Sequence, residues 1–183
     1  TWALRCLLVI DGDRKILIDT GMGNKQDTKF FSHYQPSHSV TLADALSKLN
    51  LQVNDITDVL LTHLHFDHVG GLGTGENGTD IIFKNATVHV HEKHYLYSQE
   101  ATLRDSGSFH KQTFMPLLKW YDENNKLNLL KEDEAQIIQD DEEVIRYKTS
   151  FGHTPFMIHP YSDEFIYMAD LVPMRHHLHI PWV

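Results

Sequence analysis

Apolar and polar positions in the first third of the chain predict two paired strands, a helix and a buried strand. Two apolar runs, at 3–10 and 15–18, flank an Asp-Gly-Asp segment, and Asp-Gly supplies the positive φ that tight hairpin turns require. Apolar residues at 41–49 fall at helical spacing and begin with a Thr-x-x-Asp pattern typical of a helix N-terminus. The continuous apolar run at 59–61 indicates a strand covered on both faces.

The rest of the chain predicts two more helices and five more strands. The helices are expected at 92–99 and 114–121, with Pro116 near the first turn of the second one. No compositional break or fixed-period repeat divides the sequence, so we expect a single α/β domain spanning residues 1–183. The strands are expected at 86–90, 137–138, 144–149, 156–159 and 165–168.

Size, charge and cysteine content exclude several classes of protein. The 183 residues contain no apolar run near the roughly 20 residues that span a bilayer, so no membrane segment is expected. A net charge of −9 argues against a nucleic-acid partner, because basic surfaces bind phosphate backbones. The single cysteine excludes a disulfide framework and leaves nitrogen and oxygen ligands for any metal. No secretory signal is visible, so we expect a cytoplasmic protein, and the abrupt end at Val183 suggests a truncated chain.

Histidine is the unusual residue of this composition, with 14 copies, and four candidate metal ligands lie within six consecutive positions. They directly follow the strand predicted at 59–61. On an extended backbone His63 and His65 point to the same side. Asp67 and His68 follow at a turn that directs them to a second, nearby point, which suits two metals. Surface histidines at a strand end are the alternative, but a bound cation better explains so many protonatable groups in one place.

Three other patterns are interpreted as structural. The segment 73–78 has the glycine spacing of a dinucleotide-binding loop but precedes a strand-like run, so we predict a flexible loop. His89, His91 and His94 form a second histidine pattern, for which we expect a solvated sheet edge in preference to a second metal site, since a closed site usually needs four ligands. The isolated His159 is expected on the surface.

The His-x-His-x-Asp-His motif at 63–68 resembles the signature of the metallo-β-lactamase fold hydrolases, in which a later His and Asp complete the ligand set. The Gly-His-Thr-Pro segment at 152–155 is similar to the turn that carries the later His, here His153. Asp170, after a predicted strand, matches the Asp that bridges both metals. The early Asp19 is similar to an Asp that lies beside the metals in relatives and orients a ligand.

This resemblance covers most of the chain and implies an α/β fold. The expected architecture is an αββα sandwich of two mixed sheets flanked by helices, with the metal site at one edge of the sheets. Two divalent ions are implied, zinc first, with iron, manganese or cobalt as alternatives. The resemblance assigns one ion to His63, His65 and His153, and the other to Asp67, His68 and Asp170.

Three departures from the family pattern bear on these expectations. Phe156 and Ala169 stand where relatives usually have Gly, which affects the backbone and leaves the ligands alone. In relatives the final His comes some tens of residues after the bridging Asp, and only 13 residues follow Asp170 here. We expect that ligand beyond Val183, in preference to the alternative that a histidine at 176, 177 or 179 replaces it.

The predicted function is that of a metal-dependent hydrolase, in which a metal-bound hydroxide cleaves an ester, lactone or phosphotriester bond of a small molecule. Asp67 is the predicted catalytic residue, because it is best placed to move the proton afterwards. Met22 and His177 are predicted to contact the substrate. The long interval between the two histidine motifs resembles the lactonase and phosphotriesterase branch, although Pro173 stands where lactonases carry a substrate-binding Tyr.

Two other functions remain open on the sequence alone. The first is that of a metal-binding domain or fragment without turnover. The second is that of a mono-iron enzyme of the same fold that acts on a thiol or persulfide. Metal content and hydrolysis assays distinguish these functions from that of a dinuclear hydrolase.

Overall fold

The computed structural model describes residues 3–37, 40–74, 80–139 and 144–178. In these ranges no helix is long and apolar enough to cross a bilayer, and the longest has 13 residues. The helices are α1 (Thr28–Tyr34), α2 (Leu42–Ser47), α3 (Phe66–Val69), α4 (Glu92–Gln99) and α5 (Lys111–Glu123). The strands are β1 (Leu7–Asp11), β2 (Arg14–Ile18), β3 (Asp58–Leu60), β4 (Gly73–Thr74), β5 (Asp80–Ile81), β6 (Thr87–His91), β7 (Leu127–Leu130), β8 (Glu134–Gln139), β9 (Val144–Ser150) and β10 (Met157–Tyr161).

Two sheets organise the described part of the chain. The first has five strands in the order β1-β2-β3-β6-β7, in which β1 is antiparallel to β2 and all other neighbours are parallel. The second has three antiparallel strands in the order β10-β9-β8. The short strands β4 and β5 pair separately. The α/β sandwich is confirmed, with a first sheet that is mixed as predicted and a second that is antiparallel across its described strands.

Strand β3 divides the core into two layers, because its successive side chains point to opposite faces of the sheet. Val59 lies in the cluster that contains Phe114 of α5, on the side covered by helices. Leu60 packs instead with Ile145 of the second sheet. All four side chains are at most 1% exposed, and burial of each stabilises the fold by roughly 1.5–3 kcal/mol. The predicted strand with two covered faces is therefore confirmed.

Two local predictions for the N-terminal part are also confirmed. β1 and β2 form the expected hairpin, with Gly12 at a φ of +50° in its turn. Helix α2 begins after Thr41, whose hydroxyl accepts a hydrogen bond from the Asp44 N–H at 3.1 Å. The Asp44 carboxylate accepts one in return from the Thr41 N–H at 3.0 Å. The Thr-x-x-Asp pattern therefore forms a complete capping box.

Other elements differ from the sequence prediction. Helix α5 begins at Lys111, so Pro116 lies in its interior and not near its first turn. The segment 165–168 is not a strand, because its described pairing is an isolated bridge between Tyr161 and Ile166 beside β10. Helix α1 was not predicted, since none of its residues is buried and its sequence shows no apolar stripe.

The first two residues of the glycine-rich segment 73–78 lie in a strand. Gly73 and Thr74 form β4, which pairs with β5 at Asp80 and Ile81. A strand follows the segment where a dinucleotide-binding loop would open a helix, as the sequence indicated. Residues 75–79, on which most of the loop prediction falls, lie outside the described ranges.

The prediction of a solvated sheet edge at the second histidine pattern is wrong. Val88 of β6 packs against the helices, so alternation along the strand directs His89 and His91 toward the second sheet. His89 is 5% exposed and lies between two polar partners, with Nε2 at 2.9 Å from Asp58 Oδ1 and Nδ1 at 3.0 Å from Asn128 Nδ2. These histidines are therefore hydrogen-bonded core residues.

His94 and His159 are buried as well, contrary to the sequence prediction. His94 lies in α4 and is fully enclosed. His159 lies on β10, where its Nε2 is 2.7 Å from the Ser150 hydroxyl of β9. Spacing alone did not separate buried from exposed histidines, because the packing partners come from distant parts of the chain.

Candidate metal centre

The candidate ligands lie at the edge of the five-stranded sheet where the parallel strands β2 and β3 end. Asp19 directly follows β2 and His63 comes soon after β3, so parallel pairing brings both to the same edge. Helix α3 begins after His65 and turns the chain back, which directs Asp67 and His68 to the same region. The three histidines of the motif are buried, with at most 7% of each exposed.

Three histidines from two loops form the first group of candidate ligands. Nδ1 of His65 lies 3.0 Å from Nε2 of His153, which follows β9. The ring centroid of His63 lies 4.5 Å from that of His65 and 5.1 Å from that of His153. One nitrogen from each ring lies within 4.8 Å of the other two. The structure thus brings the sequence-predicted trio together.

His63 also belongs to a second group, with His68 and Asp170, whose ligand atoms again lie within 4.8 Å of one another. Oδ1 of Asp170 is 3.3 Å from His68 Nε2, and its Oδ2 is 3.5 Å from His153 Nε2, so Asp170 contacts both groups. Asp67 lies at the margin: its Oδ2 is 3.8 Å from His68 Nε2 and its side chain is 25% exposed. All six predicted ligands therefore meet in one cluster.

Asp19 is buried beside the cluster and fixes two of its neighbours. Its carboxylate accepts hydrogen bonds from the Thr62 N–H at 2.8 Å and from the Thr62 hydroxyl at 2.8 Å. It also lies 2.7 Å from Nδ1 of His68, whose Nε2 is thereby directed toward Asp170. This geometry supports the orienting role that the sequence suggested for Asp19.

Burial and neighbouring charges shift the pKa values of the cluster in opposite directions. Burial, together with the adjacent histidines, lowers the pKa of His63 well below its usual value and that of His65 to about 3. Burial also opposes a charge on His68, but the carboxylates of Asp19 and Asp170 outweigh it and raise its pKa. Burial favours neutral Asp170, yet the neighbouring His68 holds its pKa below the usual value.

The donor set fits a divalent cation. The Thr62 hydroxyl donates its proton to Asp19, so it accepts the Nδ1–H of His63, which lies 3.0 Å away. This arrangement leaves a lone pair on Nε2 of His63, and that buried atom has no hydrogen-bond partner in the part of the chain that the structure describes. An unpaired buried nitrogen is unfavourable, and imidazole and carboxylate groups are ligands that zinc and related ions accept. A cation held by these residues resolves the mismatch.

The two positions where relatives usually have Gly adopt left-handed backbone conformations. Phe156 has a φ of +57° and Ala169 a φ of +43°. Such angles cost a residue with a Cβ roughly 1–2 kcal/mol, which accounts for the usual Gly. Phe156 follows His153 in its turn, and Ala169 directly precedes Asp170. The chain therefore keeps the two ligand-bearing turns at some loss of stability.

The turn that carries His153 is held by residues that sequence reasoning missed. Asp105 is buried and accepts hydrogen bonds from the hydroxyls of Thr154 and Tyr97, each at 3.0 Å. Arg104 donates from Nη2 to the carbonyl oxygen of His153 at 3.3 Å. Arg104 and His153 are 49 residues apart in the chain, as are Asp105 and Thr154, and no motif spacing marks them.

The residues predicted to contact a substrate lie in different surroundings. Met22 is buried in the loop after β2. His177 is exposed in a 3-10 turn formed by Arg175–His177, which also contains His176. His179 lies outside the described ranges. Substrate contact by Met22 and His177 stays a prediction.

Close backbone packing explains Gly70 and Gly71, which follow the motif at 63–68, because a Cβ on either would meet a backbone carbonyl oxygen. A Cβ on Gly71 would collide with the carbonyl oxygen of Thr20, which cannot rotate away. We expect Gly71→Ala to lower the free energy of unfolding by about 3 kcal/mol, the upper end for overpacked sites, as measured by urea denaturation. Gly107→Ala is the matched control, because nothing lies within 4 Å of a Cβ built there. Equal losses in the two variants would contradict this explanation.

The metal-free protein should lose stability on acidification. Burial lowers the pKa of His65 to about 3 and that of His94 to about 4, against about 6.5 in the unfolded chain. The folded state binds fewer protons, so each group stabilises it fully above pH 6.5 and progressively less as the pH falls toward the folded pKa. We expect each to contribute a loss of about 2 kcal/mol between pH 6.5 and 5, measured by urea denaturation with a chelator.

Protonation of His68 changes the stability in the opposite direction. The sign of the net stability change on acidification therefore shows which histidines dominate. Its raised pKa contributes stability that is present below pH 6.5 and is lost as the pH rises through the folded value. Because the lowered histidines outnumber it, we expect a net loss on acidification. Stability that increases between pH 6.5 and 5 would show that the charge on His68 dominates.

A two-sheet α/β sandwich with a largely buried His and Asp cluster at the ends of its parallel strands is the arrangement of an α/β protein with a candidate metal site. The chain belongs to the metallo-beta-lactamase superfamily, whose family model matches residues 5–182. The resemblance drawn from the motif at 63–68 is therefore confirmed at the level of the family.

Three similar proteins illustrate this relationship. A probable metallo-hydrolase of Methanocaldococcus jannaschii is 45% identical over 53 residues, which are 29% of this chain and 22% of that protein. A probable metal-dependent hydrolase from Staphylococcus aureus matches with a TM-score of 0.70 and 24% identity, over 85% of this chain and 52% of its own. AidC, a dizinc quorum-quenching lactonase solved with a product, matches with a TM-score of 0.65 and 24% identity, over 91% of this chain and 56% of its own. The two structural matches show a shared fold, and this chain spans about half the length of each.

Proposed function

We propose that the chain forms a single domain of a metal-dependent hydrolase that cleaves an ester, lactone or phosphotriester bond of a small molecule. The observation that carries the proposal is the trio of His63, His65 and His153, of which the first two are buried, and in which Nε2 of His63 has no partner among the described residues. Membership of the superfamily supports it. The net charge of −9 favours a small molecule over a nucleic acid as the substrate.

Two divalent cations are the proposed cofactors, with zinc first and iron, manganese or cobalt also suited to these ligands. When bound, such a pair supplies hydroxide at neutral pH and polarises the oxygen of the electrophile. His63 belongs to both ligand groups, but its free nitrogen can bind only one ion. The second group then needs another ligand, and the Asp67 carboxylate lies 3.8 Å from His68 Nε2. We assign one ion to His63, His65 and His153, and the other to Asp67, His68 and Asp170.

Asp67 is also the proposed proton carrier. Its carboxylate lies 3.8 Å from His68 Nε2 and is partly exposed, so it faces both the cluster and solvent. Burial raises the pKa of Asp67 above its usual value, and this favours uptake of a proton from the reacting groups. Asp67 then releases that proton to solvent.

An aromatic cluster beside the ligands supports a substrate with an apolar group. Phe66 lies between two candidate ligands in the sequence, and its ring centroid is 5.0 Å from that of Phe30 in α1 and 5.0 Å from that of His110. Tyr34 of α1 adds a fourth ring, whose centroid is 5.2 Å from that of Phe66. Met22 and His177 remain the proposed further contacts, and the class of bond is left to experiment.

Metal analysis combined with a substrate panel tests the proposal. We expect about two zinc ions per chain and hydrolysis of at least one ester, lactone or phosphotriester. His65→Ala should lose both metal and rate, because His65 Nδ1 faces His153 Nε2 at 3.0 Å. His33→Ala is the matched control, since His33 is exposed in α1.

The other two functions give different results in the same assays. Full metal content with no turnover of any panel member would contradict hydrolysis and identify a metal-binding domain without turnover. One iron per chain, with activity on a thiol or persulfide, would identify the mono-iron enzyme.

A further inference from the structure

His94 connects the two loops that carry the ligand histidines of the first group. Its Nε2 lies 2.9 Å from the backbone nitrogen of Leu64, and its Nδ1 lies 2.7 Å from the carbonyl oxygen of Pro155. A backbone N–H only donates and a carbonyl only accepts. His94 therefore accepts at Nε2 and donates at Nδ1, which requires the neutral ring with its proton on Nδ1.

Both contacts are made next to candidate ligands. Leu64 lies between His63 and His65 in the sequence, and Pro155 is two residues after His153. The ring of His94 is fully buried, so water does not compete for these hydrogen bonds. Leu64 and Pro155 are 91 residues apart in the chain, and His94 of α4 is hydrogen-bonded to both.

Phe109 packs against the ring of His94 and supports its hydrogen-bonded position. The ring centroid of Phe109 lies 5.7 Å from that of His94 and 4.7 Å from that of His65. Phe109 is itself 4% exposed. One aromatic side chain thus packs against both the connecting histidine and a candidate ligand, which limits the movement of either.

We propose that His94 is a positioning residue that sets the separation of the 63–65 loop and the 153–155 turn, so that His65 and His153 meet at one cation. The proposal rests on the metal centre proposed above. The position needs a side chain with one donor and one acceptor: a carboxylate cannot donate to Pro155, and an ammonium cannot accept from Leu64. Neutral His satisfies both, and Gln is the closest substitute.

Two variants separate hydrogen bonding from simple filling of space. His94→Leu fills the space without either hydrogen bond, and we expect its zinc affinity to fall at least about tenfold, the lower limit for losing a residue that orients ligands. His94→Gln retains a donor and an acceptor, and we expect an affinity within about threefold of the wild type. Zinc affinity is measured by competition with a chromophoric chelator, so the readout is independent of catalytic activity.

His89→Gln is the matched control for a buried histidine. His89 is hydrogen-bonded to Asp58 and Asn128 and contacts neither ligand-bearing loop through those bonds. We expect it to lower the thermal stability of the protein without changing zinc affinity. A similar loss of affinity in His89→Gln and His94→Leu would attribute the effect to general destabilisation and overturn the proposal.

A long-range ¹H–¹⁵N spectrum of the metal-free wild type tests the geometry directly, even where His94→Leu does not fold. We expect His94 to be neutral with its proton on Nδ1, and a proton on Nε2 would overturn the proposal. Wild-type protein that binds no zinc would reject the proposed function together with this role. Wild-type protein that binds zinc, with unchanged affinity in folded His94→Leu, would reject the positioning role alone.

Discussion

Replacement of His63 by Ala should remove the bound metal and lower hydrolysis more than about 100-fold, beyond the loss seen when a residue that only orients a ligand is removed. His63 is fully buried, belongs to both groups of candidate ligands, and has an Nε2 that contacts no hydrogen-bond partner within the described ranges. No other described side chain of the cluster combines these three properties. Zinc per chain after dialysis and kcat/KM on a panel substrate measure the effect.

Metal-free stability separates a lost ligand from a damaged fold in this variant. Among the described residues the His63 side chain makes one hydrogen bond, to Thr62, and its removal also removes a buried nitrogen that has no partner there. We therefore expect a much smaller change in the unfolding of chelator-treated protein than in its metal content. His33→Ala should match the wild type in every assay. Unchanged zinc binding by His63→Ala would contradict the assignment of this residue as a ligand.

Asp19→Ala should produce the largest loss of stability, about 4 kcal/mol in the free energy of unfolding. The change leaves the Thr62 N–H and hydroxyl and the Nδ1 of His68 without their buried acceptor, and breaking a buried charge pair typically costs 3–5 kcal/mol. It also places Ala at a φ of +59°, which Ala tolerates less well than Asp. Urea denaturation at neutral pH measures the loss.

Two companion variants identify the cause of that loss. Asp13→Ala alters an exposed carboxylate in the turn between β1 and β2, and we expect a change within about 0.5 kcal/mol. Asn at position 19 tolerates the backbone angle and keeps one acceptor oxygen. The loss of unfolding free energy in Asp19→Asn should therefore lie between the losses in Asp13→Ala and Asp19→Ala. The pKa of His68 should fall in both Asp19 variants, because Asp19 is a main cause of its rise. A loss below about 1 kcal/mol for Asp19→Ala would contradict the network.

The parts of the fold that follow from local chemistry were predictable from the sequence. The Asp-Gly turn gives the β1–β2 hairpin, and the Thr41 and Asp44 pair gives the start of α2. The apolar run around Val59 gives a strand covered on two faces. Helix α1 escaped prediction because it buries no residue, and the pairing of Ile166 with Tyr161 depends on a turn that periodicity does not encode.

The candidate site divides in the same way between local and distant contributions. The motif at 63–68 concentrates four donors in one loop, so its chemistry is visible in the spacing. His94 and Asp105 support the site from other elements, through contacts to Leu64, Pro155 and Thr154 that only the folded chain brings together. Residue type alone does not distinguish a buried histidine from a solvent-exposed one, and for this reason the sequence placed His94 at the surface.

Anomalous diffraction from crystals grown with zinc tests the central claim most directly. We predict one peak at the centre of His63, His65 and His153, with zinc–nitrogen distances of about 2.0–2.1 Å, and a second peak beside His68 and Asp170. Zinc bound elsewhere on the chain, with no peak within coordination distance of His63 Nε2, would contradict the account.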